Sequence, residues 1–298
     1  MNTRRIGSLT VSVVGLGCNN FGMTIDEKQS AEVVHAALDA GITFFDTADM
    51  YGSTNSERFL GKALGKRRGE AIVATKFGLN AGAEFPGGAK PEYVTHACEA
   101  SLKRLNIDRI DLYQLHKPDP SVPIADTLAA MNELVQAGKV REIGCSNFSV
   151  AQIREAGHFV SVQNEYSLLH RDPEKDVLPE CARAGLAFLP YFPLANGLLS
   201  GKYTKGAAPP KGTRMQTMTW AASGLTEKNL AIVENLRAIA ATRGHSMLEL
   251  AFSWLLRHDA VASVIAGATK PEQIRANAKA ADWRISKDDL ATIDRTSA

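Results

Sequence analysis

Three short apolar runs in this sequence each lead into an ionisable side chain. Residues 42–46 read ITFFD, residues 71–76 AIVATK and residues 110–116 IDLYQLH, so Asp46, Lys76 and His116 close β-rich segments. Tyr51 follows Asp46 by five positions in the loop TADMYG. A carboxylate, an amine, a phenol and an imidazole are the parts of a proton relay. A lysine at the mouth of an apolar strand needs a counter-charge, and Asp46 can provide it. A Lys⁺ beside a phenol favours the phenolate and lowers the tyrosine pKa from its ordinary ~10, so that the phenol serves as an acid nearer neutral pH. Each residue alone has a plainer reading. Asp46 suits a turn at Thr47–Asp49, Lys76 suits a snorkelling lysine, Tyr51 a rim aromatic, and His116 a core histidine. Their joint placement carries the argument.

The elements that must position these groups alternate along the chain. Strands are expected at 11–16, 42–45, 71–75, 110–115, 140–144, 160–164, 186–190 and 260–265. Helical periodicity is expected at 27–40, 56–66, 91–105, 124–137, 150–155, 176–184, 227–243, 247–257, 271–280 and 287–296, with a long Gly-, Pro-, Ser- and Thr-rich loop at 193–226. The strands are continuous apolar runs, as parallel strands buried on both faces should be. Eight strand–helix units in 298 residues predict a single-domain α/β (β/α)₈ TIM barrel over 1–298. In such a barrel all strand C-termini open on one face. Neighbouring strands lie about 4.8 Å apart, so the ends of strands two to four can converge. An open doubly wound sheet is the competing architecture. No G-x-G-x-x-G turn follows the first strand, and no P-loop or G-x-S-x-G elbow occurs.

Here the sequence resembles the aldo-keto reductases. The segments GITFFDTADMYG, IVATKFG, DLYQLHKPDP, EIGCSNFS, VQNEYSLL, YFPLANGLLSGKY and VIAGATKPEQIRANAKA occur in that family's order and span nearly the whole chain. Within the family the likeness is to the bacterial and potassium-channel β-subunit branch. The resemblance implies an NADPH-dependent oxidoreductase that reduces aldehydes or ketones reversibly, with Tyr51 as general acid, Lys76 tuning it, Asp46 holding Lys76 and His116 orienting the substrate oxygen. It implies that Ser146, Asn147 and Gln163 hold the nicotinamide carboxamide, that Tyr191 stacks on the ring, and that Leu194 lies along the cofactor. An NADP-binding regulatory subunit with low turnover is the alternative.

The cofactor phosphates need separate sites. Gly267-Ala268-Thr269-Lys270 runs into a helix that Pro271 begins, and a helix N-terminus attracts anions. Thr269 and Lys270, with Gln273 and Asn277 one and two turns on, are the candidates for the adenosine 2′-phosphate side. Lys202 and Arg214 are the candidates for the pyrophosphate. Some family members place an arginine where this chain has Gln273 and an acid where it has Ala276. Phe21, Phe77 and Trp220 are expected to wall an apolar substrate pocket.

Composition excludes several other classes. Net charge +2, with a pI near 8.3, is too balanced to imply nucleic acid or an anionic membrane. Cys18, Cys98, Cys145 and Cys181 have neither C-x-x-C nor zinc spacing, so no metal is expected and a reducing compartment is. No stretch reaches the ~20 apolar residues of a membrane span. The expectation is a cytoplasmic protein acting on a small-molecule carbonyl. A Schiff-base lyase using Lys76 would not need the tyrosine, and a metal hydrolase lacks H-E-x-x-H.

Overall fold

The structure, a computed structural model, describes residues 1–79, 87–204 and 206–297; the side chain of Trp220 lies outside the described set. Eight parallel strands form the barrel: β1 (Val14–Gly17), β2 (Phe44–Asp46), β3 (Ile72–Phe77), β4 (Ile110–Leu115), β5 (Val140–Ser146), β6 (Ser161–Glu165), β7 (Ala187–Tyr191) and β8 (Val264–Gly267). They hydrogen-bond in the order β8-β1-β2-β3-β4-β5-β6-β7. The seam between β7 and the chain leading into β8 is closed by Phe188, whose N–H donates to Ala260 O (2.7 Å) and whose carbonyl accepts from Ala262 N–H (3.0 Å). The expected last strand at 260–265 is thus divided: 260–262 close the barrel and β8 follows.

Period-two alternation sorts each strand between two cores. Phe44, Ala74, Leu112, Ala187, Leu189 and Ile265 point inward and form one apolar cluster. Phe45, Val73, Tyr113 and Phe77 take the opposite phase and pack in the larger cluster beneath the helices. Asp46, Lys76 and Gln114 each sit two residues past an inward apolar residue, so they inherit its direction. The interior is therefore apolar at its N-terminal end and polar at its C-terminal end.

The N-terminal end is plugged by a hairpin, Thr3–Ile6 with Leu9–Ser12, whose Ile6, Leu9 and Val11 join the inner cluster. Gly7 turns it at φ +54°, a backbone that side chains rarely adopt. The expectation of one strand at 11–16 is corrected here. Ser12 ends the hairpin and Val14 starts the barrel, because Ser12 Oγ accepts from Thr43 N–H (2.9 Å) and donates to Val14 O (2.6 Å), turning the chain between them.

The helices cover the outside. α1 (Glu27–Asp39), α2 (Asn55–Leu64), α3 (Pro91–Leu105), α4 (Ile124–Gln136), α5 (Val150–Ala156) and α6 (Val177–Ala184) each follow a strand. α1 starts from a capping box of Asp26 and Gln29, and α3 from Pro91 at its first turn. The stretch expected as loop 193–226 contains a 3₁₀ turn (Ala195–Ser200) and two short helices, α7 (Arg214–Thr217) and α8 (Thr219–Ala222). α9 (Glu227–Thr242), α10 (Met247–Leu256), α11 (Pro271–Lys279) and α12 (Lys287–Thr296) complete the chain. Among the described residues no helix is long and apolar enough to cross a membrane.

Candidate active site

The register places the relay. Asp46 on β2 pairs with Ala74 on β3, one inward step below Lys76, and Lys76 pairs with Gln114 on β4. Lys76 Nζ donates to Asp46 Oδ2 at 2.6 Å and to the Thr47 carbonyl at 2.9 Å. The other carboxylate oxygen, Asp46 Oδ1, accepts from Gln163 Nε2 (3.0 Å) and Gln114 Nε2 (3.2 Å). Asp46, Lys76, Gln114 and Gln163 are all buried, and a buried ion pair tolerates this only when its remaining hydrogen-bonding sites are met.

Tyr51 is delivered to the same point by the loop after β2, in which Asp49 N–H donates to the Lys76 carbonyl (3.0 Å). Lys76 Nζ lies 5.3 Å from the Tyr51 ring centroid, close enough for its charge to act on the phenol. Burial pushes the phenol up, Lys76 pulls it down and Asp46 pushes it up, leaving it above the ordinary tyrosine value. This corrects the expected net lowering: Lys76 divides its charge between Asp46 and the phenol, and burial outweighs what reaches the phenol. Burial also opposes the Lys76 ammonium, but Asp46 and Tyr51 outweigh it and raise its pKa. His116 stands just past β4, edge-on to Tyr51 with ring centroids 5.8 Å apart. Burial and the Lys76 charge push it down to about 3, so it is neutral at physiological pH. Its Nδ1 is buried and has no hydrogen-bond partner among the described residues.

A second set of polar groups adjoins the relay. Asn147, at φ +61°, donates through Nδ2 to the His116 carbonyl (3.0 Å) and to Ser146 Oγ (3.1 Å), and accepts from Tyr191 OH (2.9 Å). Ser146 Oγ donates to the Gln163 carbonyl at 2.7 Å. Ser146, Asn147, Gln163 and Tyr191, with the His116 carbonyl, therefore form one connected patch. Leu194, half-buried, anchors the following 3₁₀ turn through its carbonyl, which accepts from Gly197 and Leu199 N–H. Burial and the charge of Arg214 lower the Lys202 pKa. Gly267 lies at the exposed end of β8. In the turn after it, Thr269 N–H donates to Gln273 Oε1 (2.7 Å). Lys270, exposed, is the N-cap of α11 but makes no side-chain cap bond, so the first-turn N–H groups are not covered by it. Asn277 is buried on the same helix.

These observations meet the known proteins at one place. The model of the Aldo/keto reductase family matches residues 13–298. The chain belongs to that family. It is 37% identical over 297 residues to "Probable aldo-keto reductase 1" of Glycine max, covering 95% of this chain and 84% of that protein. It is 36% identical over 297 residues to aldo-keto reductase YhdN of Bacillus subtilis, covering 96% and 90%. The glycerol dehydrogenase AKR11B4 from Gluconobacter oxydans superposes with a TM-score of 0.86 at 31% identity, over 99% of this chain and 94% of that one. The holo form of aldo-keto reductase AKR11C1 from Bacillus halodurans superposes with a TM-score of 0.84 at 32% identity, over 99% and 96%.

As an aldo-keto reductase the chain is an oxidoreductase acting on carbonyls. Two of the expected pocket walls need correction. Phe21 and Phe77 have no exposed surface. Phe77 follows inward-facing Lys76, so the strand's alternation turns it outward, where it stacks on Tyr113 at 4.6 Å between centroids. Phe21 is packed in the outer core. Trp220 lies in α8, and its side chain is outside the described residues. Two residues escaped the sequence reading. Gln114 was hidden inside the β4 run, although a glutamine in a continuous apolar strand is itself a signal. Asn20, buried just after β1, accepts from Arg214 Nη2 (2.9 Å) and donates to the Ala268 carbonyl (3.4 Å), tying the α7 segment to the turn before α11.

Proposed function

We propose that this aldo-keto reductase is an NADPH-dependent carbonyl reductase, acting reversibly on small aldehydes or ketones, and that residues 1–298 work as one domain. The observation that carries this is the Tyr51–Lys76–Asp46 relay at the open end of the barrel, with neutral His116 beside it. The residues present suit the cofactor. Lys202 and Arg214 are two cations suited to a pyrophosphate. The start of α11 offers its positive dipole end and the exposed Lys270 to a further phosphate. Ser146, Asn147 and Gln163 bring polar groups together for a carboxamide, and Tyr191 is held beside them.

Bound NADPH supplies the hydride that reduces the carbonyl carbon. The chain supplies the rest. Tyr51, kept protonated by its raised pKa, gives its proton to the substrate oxygen as negative charge develops there. Lys76 stabilises the phenolate left behind, and Asp46 holds Lys76 in place. Neutral His116 has one N–H to give, which orients the oxygen without competing for the proton. In alcohol oxidation the phenolate takes the proton back. The test is a panel of aldehydes and ketones with NADPH and with NADH, followed at the nicotinamide absorbance. Turnover with NADPH supports the reading. A protein that binds NADPH but turns over no carbonyl is a regulatory binder instead.

A further inference from the structure

We propose that Gln114 is a positioning residue for the proton relay, holding Asp46 Oδ1 so that Lys76 can serve Tyr51. The inference rests on the carbonyl-reductase reading above. Gln114 has no exposed surface. It lies on β4, in the inward phase, with apolar Leu112 two residues before it and His116 two residues after. Packing alone at such a position is met by another leucine, as the neighbouring step of the same strand shows. An amide there is tolerated because its polar atoms are bonded. Its Nε2 donates to Asp46 Oδ1 (3.2 Å), and its Oε1 accepts from Gln163 Nε2 (3.5 Å), which also donates to Asp46 Oδ1 (3.0 Å). The carboxylate is thereby divided: one oxygen faces two neutral amides and the other faces the Lys76 ammonium at 2.6 Å.

That division has a direction. The amides stabilise negative charge on Oδ1 without adding a cation. Without Gln114, more of the Asp46 charge falls on Lys76, which then pulls less on the phenol, and the less screened carboxylate repels the phenolate directly. Both effects raise the proton affinity of Tyr51. The pH at which the phenolate forms, and with it the rising limb of alcohol oxidation, therefore moves upward. A residue that merely fills space would lower activity without moving that limb.

The experiment measures kcat and kcat/KM against pH in both directions for wild type, Gln114→Leu and Gln114→Glu, with NADPH fluorescence titration and thermal melts. We expect Gln114→Leu to move the rising limb of alcohol oxidation upward by about half to one pH unit, so that the variant reaches its oxidation plateau only at higher pH than wild type. NADPH affinity should stay within about twofold. Gln114→Glu should recover toward wild type as pH falls, because a protonated carboxyl can again donate to Asp46. As it ionises, it should fall below Gln114→Leu in oxidation. An unshifted limb in Gln114→Leu, whatever the loss of rate or of Tm, overturns the inference. If Gln114→Leu does not fold, Gln114→Met, which keeps the chain length, replaces it in the same comparison. A wild type without carbonyl turnover defeats the underlying reading instead, and the inference with it; that outcome is distinguishable because it precedes any substitution.

Discussion

The chemistry at the residue scale is an unequal contest over one proton. On the proposed mechanism Tyr51 is the acid, held protonated by burial, Lys76 the cation that makes its anion tolerable, and Asp46 the group that keeps that cation in place. Tyr51→Phe removes only the hydroxyl, so kcat should fall about 100-fold or more while NADPH still binds; steady-state rates with a parallel fluorescence titration check this, and near-wild-type turnover defeats the mechanism. Lys76→Met should be inactive, and Asp46→Asn less impaired, since the Lys76 charge acts on the phenol directly and Asp46 acts through Lys76. Removing either partner of this buried pair should also lower stability by about 3–5 kcal/mol. Circular dichroism melts must accompany the rates, and a fully folded, fully active Lys76→Met contradicts the assignment. The acid, amine and imidazole were legible in the sequence because each closes an apolar run. The net direction of the Tyr51 pKa was not, because burial is a property of the folded site and not of neighbours in the chain.

Helix termini and helix contacts carry the next set of expectations. At the start of α11, Lys270 is exposed and free of a capping role. A charge-assisted contact with the phosphate that distinguishes NADPH from NADH contributes about 1.5–3 kcal/mol, or roughly ten- to a hundredfold in affinity. Lys270→Met should narrow the NADPH preference by that order, and added salt should weaken NADPH more than NADH. Titrating both cofactors decides it; equal NADPH affinity in wild type and Lys270→Met removes Lys270 from the site. A second expectation concerns α2 against α3. A Cβ on Gly61 would meet the Leu105 carbonyl oxygen at 2.0 Å, so the helices approach through a bare glycine. Gly61→Ala should cost at least about 1–3 kcal/mol by overpacking, measured by denaturant melts. Wild-type stability would mean that α2 can move away from α3 without loss. Helix periodicity placed both helices, but not the closeness of their contact.

For the whole molecule, a buried carboxyl links stability to pH. Asp49 is buried beside Glu57; burial and that neighbouring charge push it up to about 7, against the pull of Arg104 and Lys76. Between the ordinary aspartate value of ~3.9 and about 7, the folded chain holds a proton that the unfolded chain has lost. Asp49 therefore makes stability fall as pH rises through that window. His116 acts in the opposite sense: pushed down to about 3, it makes stability fall as pH drops below its ordinary ~6.5. The readout is thus the difference between wild type and Asp49→Asn. That variant should be the more stable near pH 8, by about 1–3 kcal/mol, with the gap closing toward pH 4; parallel melting curves across this range contradict it. The sequence by itself determined the alternation of strands and helices, the barrel and the end of the barrel where polar groups gather, because apolar periodicity and strand-terminal polarity are local signals. Only the tertiary structure decided that residues 11–16 divide between a plug and β1, since a side-chain bond from Ser12 to Thr43 makes that break. Phe77 turned outward while Lys76 turned inward because the pleat alternates from whatever face the closed barrel makes its interior. Gln114 acquired its importance in the same way, from Asp46, a partner 68 positions away that only barrel closure brings within reach.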